Sequence, residues 1–172
     1  MAGAAGLLWG AYHFIRPGDM KHQARHFMDL AEPDANTLLA LDHEDSSVPL
    51  AAARQFAEAV EAELGRKLVL YSGFLIKEQI VRANADDITF FAARPLWLCH
   101  YAANPTWPKA WPKPFLWQFT GDGDGPGPHA VPGIQDRMDI NSFQGTDDEL
   151  TAAWPGTSLY KATAGTSNGS KV

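Results

Sequence analysis

At 172 residues, 45% hydrophobic and 20% charged, the chain has the length and balance of one globular domain with a sizeable core. A net charge of −6 without any Lys/Arg run excludes the footprint of a nucleic-acid-binding protein. Cys99 is the only cysteine, so neither an intrachain disulfide nor a cysteine-based zinc site can form. Its setting, Leu96-Trp97-Leu98-Cys99, reads as that of a buried structural thiol. The chain opens without a basic segment, and no stretch reaches the roughly 18 apolar residues of a membrane span, so neither a signal peptide nor a span is visible. Six tryptophans and 11% aromatic content fit a flat-faced ligand such as a carbohydrate, and equally a well-filled core.

Met1 to Gly6 has the pattern of a helix's last turn and cap. Leu7 to Ile15 follows as a strand and stops at the turn Arg16-Pro17-Gly18-Asp19, so a parallel α/β fold would here begin in mid-course. Asp19 caps a helix to about Ala31, in which Ala24, Phe27, Met28 and Ala31 recur at helical spacing. His22 and His26 stand at i and i+4 there and can share a face. With no third ligand in a matching motif, a solvated helix face is the stronger reading over a metal pair. Leu38-Leu39-Ala40-Leu41 is a strand buried on both faces, and it runs straight into Asp42-His43-Glu44-Asp45. Pro49 opens a second helix that ends at Gly65.

Lys67 to Tyr71 is the next strand, turned by Ser72-Gly73 into a helix from Phe74 to Ala83. Strands recur at Pro95 to Tyr101 and Phe115 to Thr120; the four prolines and two tryptophans between them, at 104–114, make an irregular loop. A glycine- and proline-rich loop covers 121–133. Within it Asp122-Gly123-Asp124-Gly125 lacks the Glu that closes a calcium loop and reads as a turn. Arg137 to Phe143 alternates as a short strand with Asp139 and Asn141 on one face, and a short helix runs from Asp147 to Trp154. Residues 155–172 are rich in Gly, Ser, Thr and Ala and read as a flexible tail. Strand and helix alternate as in a parallel sheet or barrel.

Such folds carry their chemistry at the carboxyl ends of the strands. Side chains two apart on a strand share a face, roughly 6.5–7 Å apart at the backbone. Asp42 and Glu44 therefore point into one site while His43 points away. Two acids so placed suggest proton transfer to a glycosidic or similar bond, against the plain alternative of a solvated strand end.

Gly10-Ala11-Tyr12-His13-Phe14, Leu41-Asp42-His43-Glu44, Tyr71-Ser72-Gly73, Leu96-Trp97-Leu98-Cys99-His100-Tyr101, Trp117-Gln118-Phe119-Thr120 and Met138-Asp139-Ile140-Asn141-Ser142-Phe143 occur in this order. Together they resemble the successive strand motifs of glycoside hydrolase family 25, the N-acetylmuramidases or lysozymes of phage endolysins and bacterial autolysins. The resemblance covers residues 4 to about 145. It implies an α/β fold of the TIM-barrel type, a flattened irregular (β/α) barrel with its site at the strands' carboxyl ends. It also implies Glu44 as general acid, Asp42 as its acidic partner and Asp139 as a further acid. Tyr12, Tyr71, Trp97, Tyr101 and Gln118 would line the sugar groove, and no cofactor or metal is implied.

Two features depart from the family pattern. His43 stands where a small apolar residue is usual. At the N-terminus, about six strands are found instead of eight and the opening acid motif is missing, so the barrel is expected to be N-terminally incomplete, with 1–154 as the catalytic domain. Open strand edges of that kind invite pairing, so a homodimer covering the barrel edge is expected.

On this reading the chain cleaves the β-1,4 bond between N-acetylmuramic acid and N-acetylglucosamine in bacterial peptidoglycan, outside the cell or as a phage product. Glu44 would be protonated and Asp42 ionised, orienting the substrate's 2-acetamido group, whose oxygen can act as internal nucleophile. A second reading is a catalytically impaired relative that binds cell-wall glycan or assembles with a partner. A third is a metal-dependent hydrolase using His22, His26 and the acids.

Overall fold

A computed structural model describes residues 5–134 and 136–154. The expected helix end at 1–4 and the tail at 155–172 lie outside the described residues. Within them run β1 (Gly10–Phe14), α1 (Met20–Ala31), β2 (Leu38–Asp42), α2 (Leu50–Leu64), β3 (Val69–Ser72) and α3 (Phe74–Ile80). There follow α4 (Ala85–Ala92), β4 (Leu96–Cys99), β5 (Leu116–Thr120), β6 (Ile140–Ser142) and α5 (Asp147–Ala153). The six strands form one sheet in chain order, curled as a half-barrel, which is the α/β architecture read from the sequence. β1 to β5 are parallel, and β6 returns antiparallel to β5 across a register shift between Gln118 and Thr120.

The helix boundaries follow from local chemistry. The Asp19 carboxylate accepts hydrogen bonds from the backbone N–H groups of Lys21 and His22, and so starts α1. Gly65, at φ +72°, ends α2 in the left-handed region that glycine enters freely. α5 opens on a reciprocal capping box between Thr146 and Glu149. α3 stops at Ile80, short of the expected Ala83. A separate helix, α4, then begins where the Asn84 side chain accepts from the N–H of Asp87, with Asp86 and Asp87 in its first turn.

Strand alternation divides the apolar residues between two cores. Leu39, Leu41, Leu68, Leu70, Leu96 and Leu98 face outward, onto the layer of helices containing Phe27, Phe56, Val60, Ile76 and Phe91. Leu38, Ala40, Val69, Phe115 and Leu116 face inward, where Ala153 of α5 packs on them. α5 thus covers the lower part of the concave face. Trp154, just beyond it, donates its indole N–H to the Trp9 carbonyl at 2.8 Å. The outer layer is tied by Arg94, which is 2% exposed and grips Glu61 through Nε (2.8 Å) and Nη2 (2.5 Å). Glu61 Oε1 also accepts the Leu68 N–H, and the Arg94 carbonyl accepts the indole N–H of buried Trp111.

Candidate active site

Because Leu38 and Ala40 face inward, Asp42 does too, at the carboxyl end of β2. The same alternation presents Tyr71 from β3, Trp97 from β4 and Gln118 from β5, in neighbouring register: Asp42 beside Tyr71, Tyr71 beside Trp97, Cys99 beside Gln118. These side chains line one cleft of about 360 Å³ together with Tyr12, Glu44, Tyr101, Asp122, Asp139 and Asn141. All eight residues singled out as a site from the sequence are therefore brought together in space. Two more, Asp122 and Asn141, join them.

The acids are unequally enclosed. Asp42 is only 5% exposed and its Oδ1 is buried without a hydrogen-bond partner. Burial, followed by the charge of Glu44, pushes its pKa up to about 7. Glu44 opens to the cleft; its pKa is also raised, first by desolvation and then by the charge of Asp139. Burial thus works against the ionised form expected of Asp42, because it is the more deeply enclosed acid. Near neutral pH the enclosure of Asp42 therefore favours its protonated form more than an open carboxylate would allow.

A hydrogen-bonded set of aromatic and amide side chains walls the cleft. The Tyr71 hydroxyl donates to Gln118 Oε1 at 2.6 Å, and Gln118 Nε2 donates to the Tyr101 hydroxyl at 3.0 Å. Trp97 meets Tyr71 edge to face and donates its indole N–H to Asn141 Oδ1 at 2.7 Å, leaving its ring face for a ligand. Gly121 allows the closest approach: a Cβ there would sit 2.3 Å from the Tyr101 hydroxyl and 2.5 Å from Asp139 Oδ1. The expected turn at Asp122 to Gly125 is present, closed by paired backbone hydrogen bonds between Gly121 and Asp124. It carries Asp122 to the cleft rim at φ +52°.

Cys99 is half-buried on the cleft face of β4, in register with Gln118, and so is not the core thiol expected. Burial raises its pKa and keeps it a thiol. His43 turns away from the site into the helix layer, as strand alternation requires. It is fully buried, with Nε2 2.9 Å from Gln79 Oε1, while Gln79 Nε2 donates to the Val48 carbonyl. That fixed amide assigns the proton to Nε2 and leaves Nδ1 without a partner. His22 and His26 lie on the exposed side of α1, remote in the fold from the cleft-lining residues. Asn141 was legible from its place beside Asp139. Asp122 was not, since nothing in a glycine-rich loop says which acid turns inward.

Comparison with known proteins agrees with this geometry. The sequence profile of the family "Glycosyl hydrolases family 25" matches residues 1–128. The uncharacterized protein YegX of Escherichia coli O157:H7 is 30% identical over 156 residues, which is 86% of this chain and 52% of that protein. The chain thus spans about half the length of this curated relative. The structure of a muramidase from Acremonium alcalophilum superposes with a TM-score of 0.67 at 24% identity, covering 88% of this chain and 74% of the other. The spore cortex lytic enzyme SleM of Clostridium perfringens gives a TM-score of 0.67 at 25% identity, covering 87% and 53%. By profile and by fold, the chain belongs to the glycosyl hydrolases of family 25.

Proposed function

We propose that this chain is a peptidoglycan hydrolase of the lysozyme class, acting on the bacterial wall from outside the cell or as a phage product. In this reading it cleaves the β-1,4 bond between N-acetylmuramic acid and N-acetylglucosamine, with Glu44 as the general acid. The observation that carries the proposal is the gathering of Glu44, Asp42 and Asp139 in one aromatic-walled cleft at the strands' carboxyl ends. Its size is in the range of small-ligand sites, roughly 300–1,000 Å³. Glu44 opens to the cleft with a raised pKa, which suits an acid that must hold a proton near neutrality and reach a leaving oxygen. Asp42 sits behind it, on the same face and more deeply enclosed, where it can accept from the substrate's acetamido N–H once ionised. That order favours attack by the acetamido oxygen on the anomeric carbon, with Glu44 protonating the departing sugar. Trp97 offers its ring face for stacking, and Tyr12, Tyr71, Tyr101 and Gln118 complete the walls.

The test is a turbidity assay on purified peptidoglycan with Glu44→Gln beside the parent. The variant is expected to lose hydrolysis by at least about a thousandfold while keeping its thermal midpoint. If most of the rate survived, Glu44 would not be the acid. Pull-down of peptidoglycan by the parent without lysis would favour a glycan-binding relative. The proposal extends to a homodimer along the edge strand β1, beside which Leu7, Leu8 and Trp9 are exposed. A sedimentation mass of one chain would overturn that part. Among the described residues no helix is long and apolar enough to cross a membrane.

A further inference from the structure

The Tyr71–Gln118–Tyr101 chain reaches across β4. Tyr71 comes from β3 and Gln118 from β5, with β4 between them and Tyr101 just beyond its end, so the amide ties β3, β5 and the segment after β4 together at the level of the acids. Either tyrosine could donate or accept, and the direction of the chain is set by which end of the Gln118 amide faces which ring. The two lengths settle it. At 2.6 Å the Tyr71 link has the length of an O–H···O bond, and at 3.0 Å the Tyr101 link has that of an N–H···O bond.

From this order we infer that Gln118 is a positioning residue which, by donating to Tyr101, leaves the Tyr101 proton free for the cleft. The inference rests on the hydrolase reading above. An inventory of donors shows why it matters. The indole N–H of Trp97 is taken by Asn141, the Tyr71 O–H by Gln118 and one Gln118 N–H by Tyr101. The four acids that line the cleft are acceptors once ionised. Neutral donors then come from Tyr101, from the exposed Tyr12, from the Asn141 amide, from the second Gln118 N–H and, weakly, from the Cys99 thiol. Of these, the Tyr101 hydroxyl faces Gly121 together with Asp139 Oδ1, the two lying 2.3 and 2.5 Å from where a Cβ of that glycine would stand. The Tyr101 proton is then available to a sugar oxygen placed near Asp139 in the cleft. Gln118 is 2% exposed, so water does not compete for the amide.

The experiment has two arms. In the parent protein, nuclear Overhauser contacts from the Gln118 side-chain amide protons should reach the Tyr101 ring. Contacts to the Tyr71 ring instead would overturn the order and the inference with it. In the second arm, Gln118→Glu and Tyr101→Phe are compared on solubilised peptidoglycan at two pH values, each as a ratio to the parent. An ionised carboxylate accepts from both tyrosines and turns the Tyr101 proton away from the cleft. A protonated one restores one donor and one acceptor. Gln118→Glu should therefore lose about tenfold in kcat at pH 8 and recover to within about twofold at pH 5. Tyr101→Phe should lose about as much at both, and the double variant no more than Tyr101→Phe alone. Equal losses of Gln118→Glu at both pH values, or losses that multiply, would overturn the role. A parent that shows the Tyr101 contacts but neither lyses walls nor binds fragments would instead refute the hydrolase reading and leave the hydrogen-bond order standing.

Discussion

The two sides of the sheet bury charge in opposite ways. On the outer side Arg94 and Glu61 are buried as a bidentate pair, with the Leu68 N–H on the same carboxylate. The Arg94 guanidinium stacks on Phe90 and donates to the Phe90 carbonyl. On the inner side Asp42 is nearly as buried, but its neighbours are Glu44 and, beyond it, Asp139, and one of its oxygens has no partner. A paired charge in a core is neutral to moderately useful for stability and fixes geometry. An acid buried among acids is a standing cost, and a fold keeps it when function requires a proton held at neutral pH. The outer node joins α2, α4, β4 and the loop at 104–114, and the inner cluster lines the open cleft.

The largest effect that would break this contrast is on the outer side. Arg94→Ala leaves Glu61 half-enclosed without its cation and removes the stacking on Phe90. We expect a loss of about 3–5 kcal/mol in denaturant unfolding. A loss under about 1 kcal/mol would mean that the pair is solvent-screened and that the outer side is not organised by it.

The inner side should answer with the opposite sign. Between about pH 4 and pH 7 the folded chain holds a proton on Asp42 that the unfolded chain has released, so this group lowers stability as pH rises through that window. His43 contributes an opposing slope. Burial lowers its pKa, so below about pH 6.5 the unfolded chain binds a proton that the fold refuses, and stability falls with acid. Asp42→Asn removes only the first of these. The variant should be about 2 kcal/mol more stable than the parent at pH 8 and equal to it near pH 4. It should also lose hydrolysis, while the pH at which loss of the Glu44 proton ends the remaining rate should stay close to that of the parent, because Glu44 owes its raised pKa to burial and to Asp139, which the variant keeps. Destabilisation at pH 8 would show that Asp42 is satisfied by water or an ion and that the cluster carries no strain.

How much of this could be read from sequence differs between the same two sides. Strands carry their evidence locally: Leu38 to Leu41 and Leu96 to Cys99 are apolar runs with ionisable residues at their ends, and alternation alone sends Asp42 inward and His43 outward. Neighbouring strands in parallel order then bring the inward residues together without further information. α4 escaped notice because Pro95 and the apolar run after it dominate that stretch, although Asn84 followed by Asp86 and Asp87 is a helix-start pattern. The antiparallel course of β6 depends on the long loop at 121–133, whose path no periodicity encodes. Relative burial was equally out of reach, and it sets Asp42 apart as the more enclosed of the two acids. Asp42 and Glu44 look equivalent as letters, and only the closed packing around β2 separates 5% exposure from an open carboxyl.

The smallest expected effect compares two tryptophans, one on each side. Trp111 on the outer side is 1% exposed, and its N–H is held by the Arg94 carbonyl; it is a core residue. Trp97 on the inner side is partly exposed, and its N–H is held by Asn141, itself exposed. If Asn141 serves to turn the Trp97 face toward a sugar, Asn141→Ala should cost little in folding, since water can take the freed indole N–H. We expect under about 0.5 kcal/mol in unfolding and a three- to tenfold weaker binding of soluble glycan fragments, about 1 kcal/mol, read by the quenching of tryptophan emission. The same assay on Trp97→Phe, which keeps a ring and drops the N–H, should then show no further effect of Asn141→Ala. Additive losses would place Asn141 on the sugar directly, and a large loss of stability would make Trp97 a core residue like Trp111. Either result would erase the division of labour between the two faces at this point, because the inner wall would no longer be held ready for a ligand by a contact that folding hardly needs.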